Sequence, residues 1–277
     1  MVSMTTIVMM AFCVLVSIAA LAIPFMMVRK RSSKIEAGII GALCYGVLGY
    51  IWQYVFYIFV GLFLANLHVS SNERIHEVVV SVLLTFLNTA LTALSLYWGI
   101  YLTNQKQLSI YRSAAVGIGF SLGKIGIDLI YPYITSIYFS VQINQGTFQA
   151  ADQTTEAIRK SILETTVGSL LSGTYKCMLM FVIIFAVALI MGHYYIQKNN
   201  KMAWLSVLCI YETVTLVNVI LLQIFRDAPT IVQETAVMVA LTAIAAAGGI
   251  VLYYWFRYDE VEVNPLAVIC GRGEREA

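Results

Sequence analysis

The sequence predicts an all-α, polytopic membrane helix bundle of about seven transmembrane helices, with the N-terminus outside and the C-terminus cytoplasmic. Composition is the first reason: 60% of the 277 residues are hydrophobic and only 12% are charged, against roughly 25% charged residues in a soluble domain. Mean hydropathy is correspondingly high, +0.82. The second reason is that the apolar residues fall in runs of about 20, the length that crosses a hydrocarbon core as helix. The third is that basic residues collect on alternate loops.

The runs lie at about 4–28, 37–66, 78–103, 113–141, 166–192, 204–226 and 235–256. Only helices and closed barrels satisfy the backbone in lipid, and these unbroken runs lack the short alternation of barrel strands. Arg29, Lys30, Arg31 and Lys34 follow the first run, Lys106 and Arg112 the third, Lys198 and Lys201 the fifth, and Arg257, Arg272 and Arg275 the seventh. The opposite side holds Arg74, Arg159, Lys160 and Arg226. The positive-inside rule therefore places the first group in the cytoplasm.

The first run reads as a retained anchor. Ala20-Leu21-Ala22 has the small residues of a cleavage site, but MVSMTT carries no positive charge and the basic cluster follows the apolar stretch. One bundle, 1–257, accounts for nearly the whole chain, and the charged tail 258–277 has too little apolar content to fold alone. In the outer segment 143–165, Phe148, Ala151, Thr155, Ile158 and Ile162 recur at helical spacing and predict a short interfacial helix. The localisation expected is a bacterial plasma membrane. The lipid bilayer and a membrane-protein partner are the expected contacts, and a net charge of +2 gives no reason to expect nucleic acid.

Cysteine adds little chemistry. Cys13, Cys44, Cys177 and Cys209 lie within runs and Cys270 in the tail, none at metal-ligand spacing. Cys270 also stands too far from the terminus for a prenylation box.

The informative residues are ionisable groups inside the runs. Lys124 and Asp128 lie in the fourth, Lys176 in the fifth and Glu212 in the sixth. At 1.5 Å per residue Lys124, Lys176 and Glu212 are about 12–17 Å from an end of their runs, which approaches the midplane. One charge at a helix centre costs roughly 2.5–3.5 kcal/mol, so all four are expected to face inward as a buried polar network. Lys124 and Asp128 share a face at i and i+4, and Lys176 is expected to meet Glu212. Pro132 leaves the Asp128 carbonyl without its usual donor and predicts a kink. Gly119, Gly123 and Gly126, with Gly117, make the fourth helix a close-packing one. Gln53, Asn88, Asn218 and Gln223 are expected to make interhelical hydrogen bonds.

Catalytic templates fit these residues poorly. Gly119-Phe120-Ser121-Leu122-Gly123 satisfies G-x-S-x-G, but a nucleophile elbow needs a strand-turn-helix context. The histidines, His68, His76 and His193, fall in loops or at membrane edges. An aspartyl dyad would have to pair Asp128 with Glu212. A zinc site needs three ligands and an open position, and Asp128 and Glu212 have lysines as neighbours.

Two short stretches carry a resemblance. Leu96, Tyr97, Trp98, Gly99, Ile100 and Tyr101 align with a pattern E-E-x-G-R-Y, and Lys124, Ile125, Gly126, Ile127 and Asp128, after GIGFSLG, align with H-G-G-I-E. In this layout the chain resembles the YhfC-type intramembrane metalloproteases, which are distantly similar to the PrsW and CPBP groups. The resemblance implies that Leu96 and Tyr97 stand at the family's glutamates, Ile100 at its arginine, Lys124 at its histidine and Asp128 at its glutamate. It further implies that Tyr175 and Lys176 stand at an E-R pair, with Ile183 and Tyr211 near later histidines. The chemistry of that family is missing at each of these positions. Without metal ligands nothing lowers the pKa of a bound water. The expectation is a non-catalytic relative: a degenerate protease scaffold with no cofactor, serving as a scaffold or as a peptide- or helix-binding subunit. Two other readings stay open: an active zinc endopeptidase with displaced ligands, such as Asp128 and Glu212 with a loop histidine, and a transporter that uses Lys124, Asp128, Lys176 and Glu212.

Overall fold

The structure, a computed structural model, describes residues 1–31, 35–65, 73–105, 109–149, 153–226 and 228–258. The predicted tail, with Cys270, and the loop containing His68 lie outside them. The described residues are all-helical. Helix α1 is Met4–Arg31. The second crossing is built from α2, Glu36–Cys44, a π-helical stretch, Tyr45–Trp52, and α3, Gln53–Ala65. Helix α4 is Glu73–Asn104. The fourth crossing joins α5, Ile110–Ile125, a π turn, Gly126–Ile130, and α6, Tyr131–Gln145. A short α7, Gln153–Glu164, precedes α8, Val167–Ile196, α9, Asn200–Ile224, and α10, Thr230–Tyr258.

Seven helices among the described residues are long and apolar enough to cross a membrane. Their outer faces fit that solvent: Leu15, Phe59, Leu62 and Phe63 are all more than 60% exposed, a surface that water would not tolerate in this density. The hydroxyls inside the crossings bond to the carbonyl four residues back, as Ser17 does to Cys13, Ser121 to Gly117 and Thr174 to Leu170. These helices thus satisfy part of their own polar groups internally.

Two helices form the centre. Burial reaches 61% and 56% along the apolar stretches containing α5 and α8, against 35% or less in the other five crossings. Close approach explains why α5 takes this place. A Cβ on Gly119 would collide with the carbonyl of Gly38, and one on Gly41 with the carbonyl of Val116, so α2 and α5 touch backbone to backbone. On its other side, Gly117 lies directly against Ala188 of α8. Leu96, Ile100, Ile118, Phe120 and Ile184 fill the core between α4, α5 and α8.

The fourth crossing runs 110–145, longer at both ends than the apolar run 113–141 suggested. At 1.5 Å per residue its 36 residues extend about 54 Å, well beyond a hydrocarbon core of about 30 Å. Its far end is tied to the start of the chain: Val2 N–H donates to Asn144 Oδ1 at 2.7 Å, and Asn144 Nδ2 donates to the Val2 carbonyl at 2.9 Å. The N-terminus and the segment after α6 therefore share one side of the bundle. Helix α7 follows there, with Ile162 buried and Ile158 half-buried. The next crossing begins with a capping box, Thr166 and Ser169 each accepting from the other's backbone N–H at 3.2 and 3.1 Å, a device of about 1 kcal/mol.

Candidate functional site

Lys124 and Asp128 meet at the centre of the fourth crossing. The ammonium lies 2.7 Å from Asp128 Oδ2, as the i, i+4 spacing predicts. Tyr45, which sequence reasoning missed, completes the group. Its hydroxyl lies 3.1 Å from both Asp128 oxygens, and Lys124 Nζ stands 5.3 Å from the centroid of its ring, within cation–π range. The Tyr45 ring is buried edge-on against Phe120 at 5.1 Å. Gly49 leaves room for it, since a Cβ there would come within 2.9 Å of the ring. A lone tyrosine among Gly38, Gly41, Gly46 and Gly49 was the available signal.

Both backbones that carry this group depart from the α ladder at the same place. Tyr45 opens one π stretch and Asp128 sits in the other. The second follows from Pro132, whose missing N–H and ring disturb the carbonyl four residues before. The chain absorbs this by widening: Tyr131 N–H donates to the carbonyl of Gly126, five residues back. The predicted kink thus takes the form of a π turn. Gly126 itself needs correction as a packing residue, because a Cβ there meets nothing within 4 Å, while one at Gly123 would lie 3.0 Å from the Ala42 carbonyl.

The expected four-charge network is also corrected. Lys176 and Glu212 form no ion pair. Glu212 is 7% exposed, and neither of its carboxylate oxygens has a hydrogen-bond partner among the described residues. Lys124 and Asp128, in turn, are not sealed, with side chains 28% and 34% exposed. Among the described residues, geometry divides the four charges into a closed pair, a lone base and a lone acid. Asn88, expected to bond across helices, keeps a buried Oδ1 without a partner among the described residues. The side chains of Gln53, His76, Tyr211 and Asn218 lie outside the described residues, and Gln223 is half-buried near the end of α9.

The two lysines share a cavity of about 480 Å³ between α5, α8, α9 and α10. Tyr175 and Thr242 hydroxyls meet at 3.0 Å, and the Ser172 hydroxyl lies 3.7 Å from Met238 Sδ. These contacts set Lys176 level with Leu241. Thr230, Gln233 and Glu234 line the other end, so the cavity extends about 16 Å along α10.

The remaining positions of the protease-like motifs do not converge on this group. Leu96 and Ile100 are fully buried in the apolar core. Tyr97 stacks on Tyr101 at 6.5 Å and meets Tyr195 edge-on at 6.4 Å. Gly99 faces Val116 and Cys44, about two helical turns from Lys124 along α5. Ile183 is core, and Tyr175 is engaged with Thr242.

Zinc does not fit the residues present. A protonated lysine offers no lone pair, and Asp128 has both oxygens engaged. Among the described residues no three His, Cys, Asp or Glu side chains come together closely enough to hold an ion. His193 contacts Gln197 at 3.0 Å near the end of α8. Compared with family models, curated proteins and solved structures, the chain matches none.

Proposed function

We propose that this multi-pass membrane protein is a non-hydrolytic relative of the YhfC-type intramembrane metalloproteases, acting as a scaffold or helix-binding subunit in a bacterial plasma membrane. One observation carries the reading. Where that family places a histidine and a glutamate, this chain has Lys124 and Asp128, closed on each other at 2.7 Å and on the Tyr45 hydroxyl. Such a group is neutral and satisfied without a metal, so it holds helices in register and activates no water. The close α2–α5 seam around it is a rigid frame on which a partner helix can pack.

Native mass spectrometry of the protein released gently from its membrane tests this. A stoichiometric protein partner without zinc is the expected result. One zinc per chain, with peptide hydrolysis lost on chelation and in Lys124→Ala, would restore the protease and sink the scaffold reading.

The cavity favours transport as the second reading. Glu212 does not line it, so a route through all four charges is not continuous in this conformation. Uptake or proton flux in sealed vesicles that is abolished by Glu212→Gln would move transport to the front.

A further inference from the structure

We infer that the cavity between α5, α8, α9 and α10 binds an anionic amphiphile: one carboxylate or phosphate group carried on an apolar body. Lys124 and Lys176, each more than two turns from the ends of its crossing, both line this space. Lys124 is neutralised by Asp128. Lys176 makes no ion pair or hydrogen bond among the described residues. An unpaired, half-buried ammonium well inside a membrane crossing is costly until an anion reaches it, and the cavity is the space from which one can.

The rest of the wall selects what carries that anion. Met180, Val237 and Leu241 present hydrocarbon beside Lys176. Glu234, toward the α10 N-terminus, disfavours a second negative group at that end. A ligand charged at one end and apolar along its body satisfies both, whereas a polyanion such as a nucleotide does not. The volume, about 480 Å³, lies within the range of small-molecule sites. The phosphate of a bilayer phospholipid and the carboxylate of a free fatty acid share this chemistry. The site needs no protein partner, so it stands apart from the scaffold reading.

The test uses the full chain in neutral detergent, read by native mass spectrometry and thermal melting, with phosphatidylglycerol, phosphatidylcholine, laurate and inorganic phosphate as probes. Expected is one phosphatidylglycerol or one laurate per chain, each raising the melting temperature, with little effect from the other two. Phosphatidylglycerol alone would identify the bilayer as the source, and laurate alone the soluble pool. Lys176→Met should weaken binding at least about tenfold, and Lys176→Arg should retain it. Leu241→Trp, which fills the cavity without altering a charge, should also lose it. Lys160→Met, on exposed α7, is the control. The proposal is overturned if neither anionic amphiphile binds the folded native chain, if Lys176→Met and Leu241→Trp bind as tightly as the native chain, or if phosphatidylcholine or inorganic phosphate binds equally well.

Discussion

The Tyr45 hydroxyl lies 3.1 Å from each carboxylate oxygen of Asp128, joining the second crossing to the fourth where both leave the α ladder. The Lys124 ammonium holds the same carboxylate through Oδ2 at 2.7 Å. A widened helical turn changes the angle at which the following side chains leave the axis. The polar contact and the two π segments therefore depend on one another, and the α2–α5 glycine seam keeps them within reach.

Breaking this group should cost stability in a graded way. Asp128→Asn leaves Lys124 unpaired, and because the pair is about one-third exposed the loss should fall near 1–3 kcal/mol, below the 3–5 kcal/mol of a sealed pair. Tyr45→Phe removes one hydrogen bond and should cost about 1 kcal/mol. Lys124→Met with Asp128→Asn should lose less than the two single changes added together. Strictly additive losses in detergent unfolding would show that the contact is energetically idle.

Two glycines on one helix should behave oppositely. Gly119→Ala drives a Cβ into the Gly38 carbonyl, where backbone must move, so the α2–α5 seam should open with a loss of several kcal/mol or no folded protein. Gly126→Ala meets nothing within 4 Å and should change stability by no more than about 1 kcal/mol, in either direction. Melting temperatures of the two variants compare them directly. Equal losses would mean that the seam is not as close as the structure places it.

Seven crossings were readable because each needs only length and hydropathy, which are local properties. Lys124–Asp128 was readable for the same reason, since i and i+4 on one helix must meet. Tyr45 was not, because its partner is 83 residues away and a tyrosine in a membrane run gives no sign of which neighbour it will find. The same limit explains Lys176 and Glu212: their depths suggested a match, but depth does not fix the direction in which a helix turns a side chain. Gly126 failed as a packing residue because a small-residue pattern names candidates on every side of a helix, and only one side faces α2.

The Val2–Asn144 contact and the basic loops together predict orientation. A membrane-impermeant maleimide should label Ser3→Cys and Thr147→Cys on intact cells, in a background lacking the native cysteines. Lys201→Cys, at the start of α9, should be labelled only after permeabilisation. Labelling of Lys201→Cys on intact cells would invert the bundle and place the basic loops outside.

Glu212 gives the sharpest stability test, because its carboxyl is buried with neither oxygen served among the described residues. The nearby Thr215 hydroxyl is used elsewhere: it reaches the main-chain carbonyl of Glu212 at 3.4 Å and the Thr89 hydroxyl at 2.9 Å. A buried carboxyl without donors lowers stability, and a thioether of similar length has no such need. Glu212→Met should therefore raise the melting temperature, by an amount equivalent to about 1–3 kcal/mol, with Glu212→Gln between it and the native chain. A fall in the melting temperature of Glu212→Met would show instead that this carboxyl is served in the membrane by a donor beyond the described residues, and a fall confined to the native complex would assign that donor to a partner.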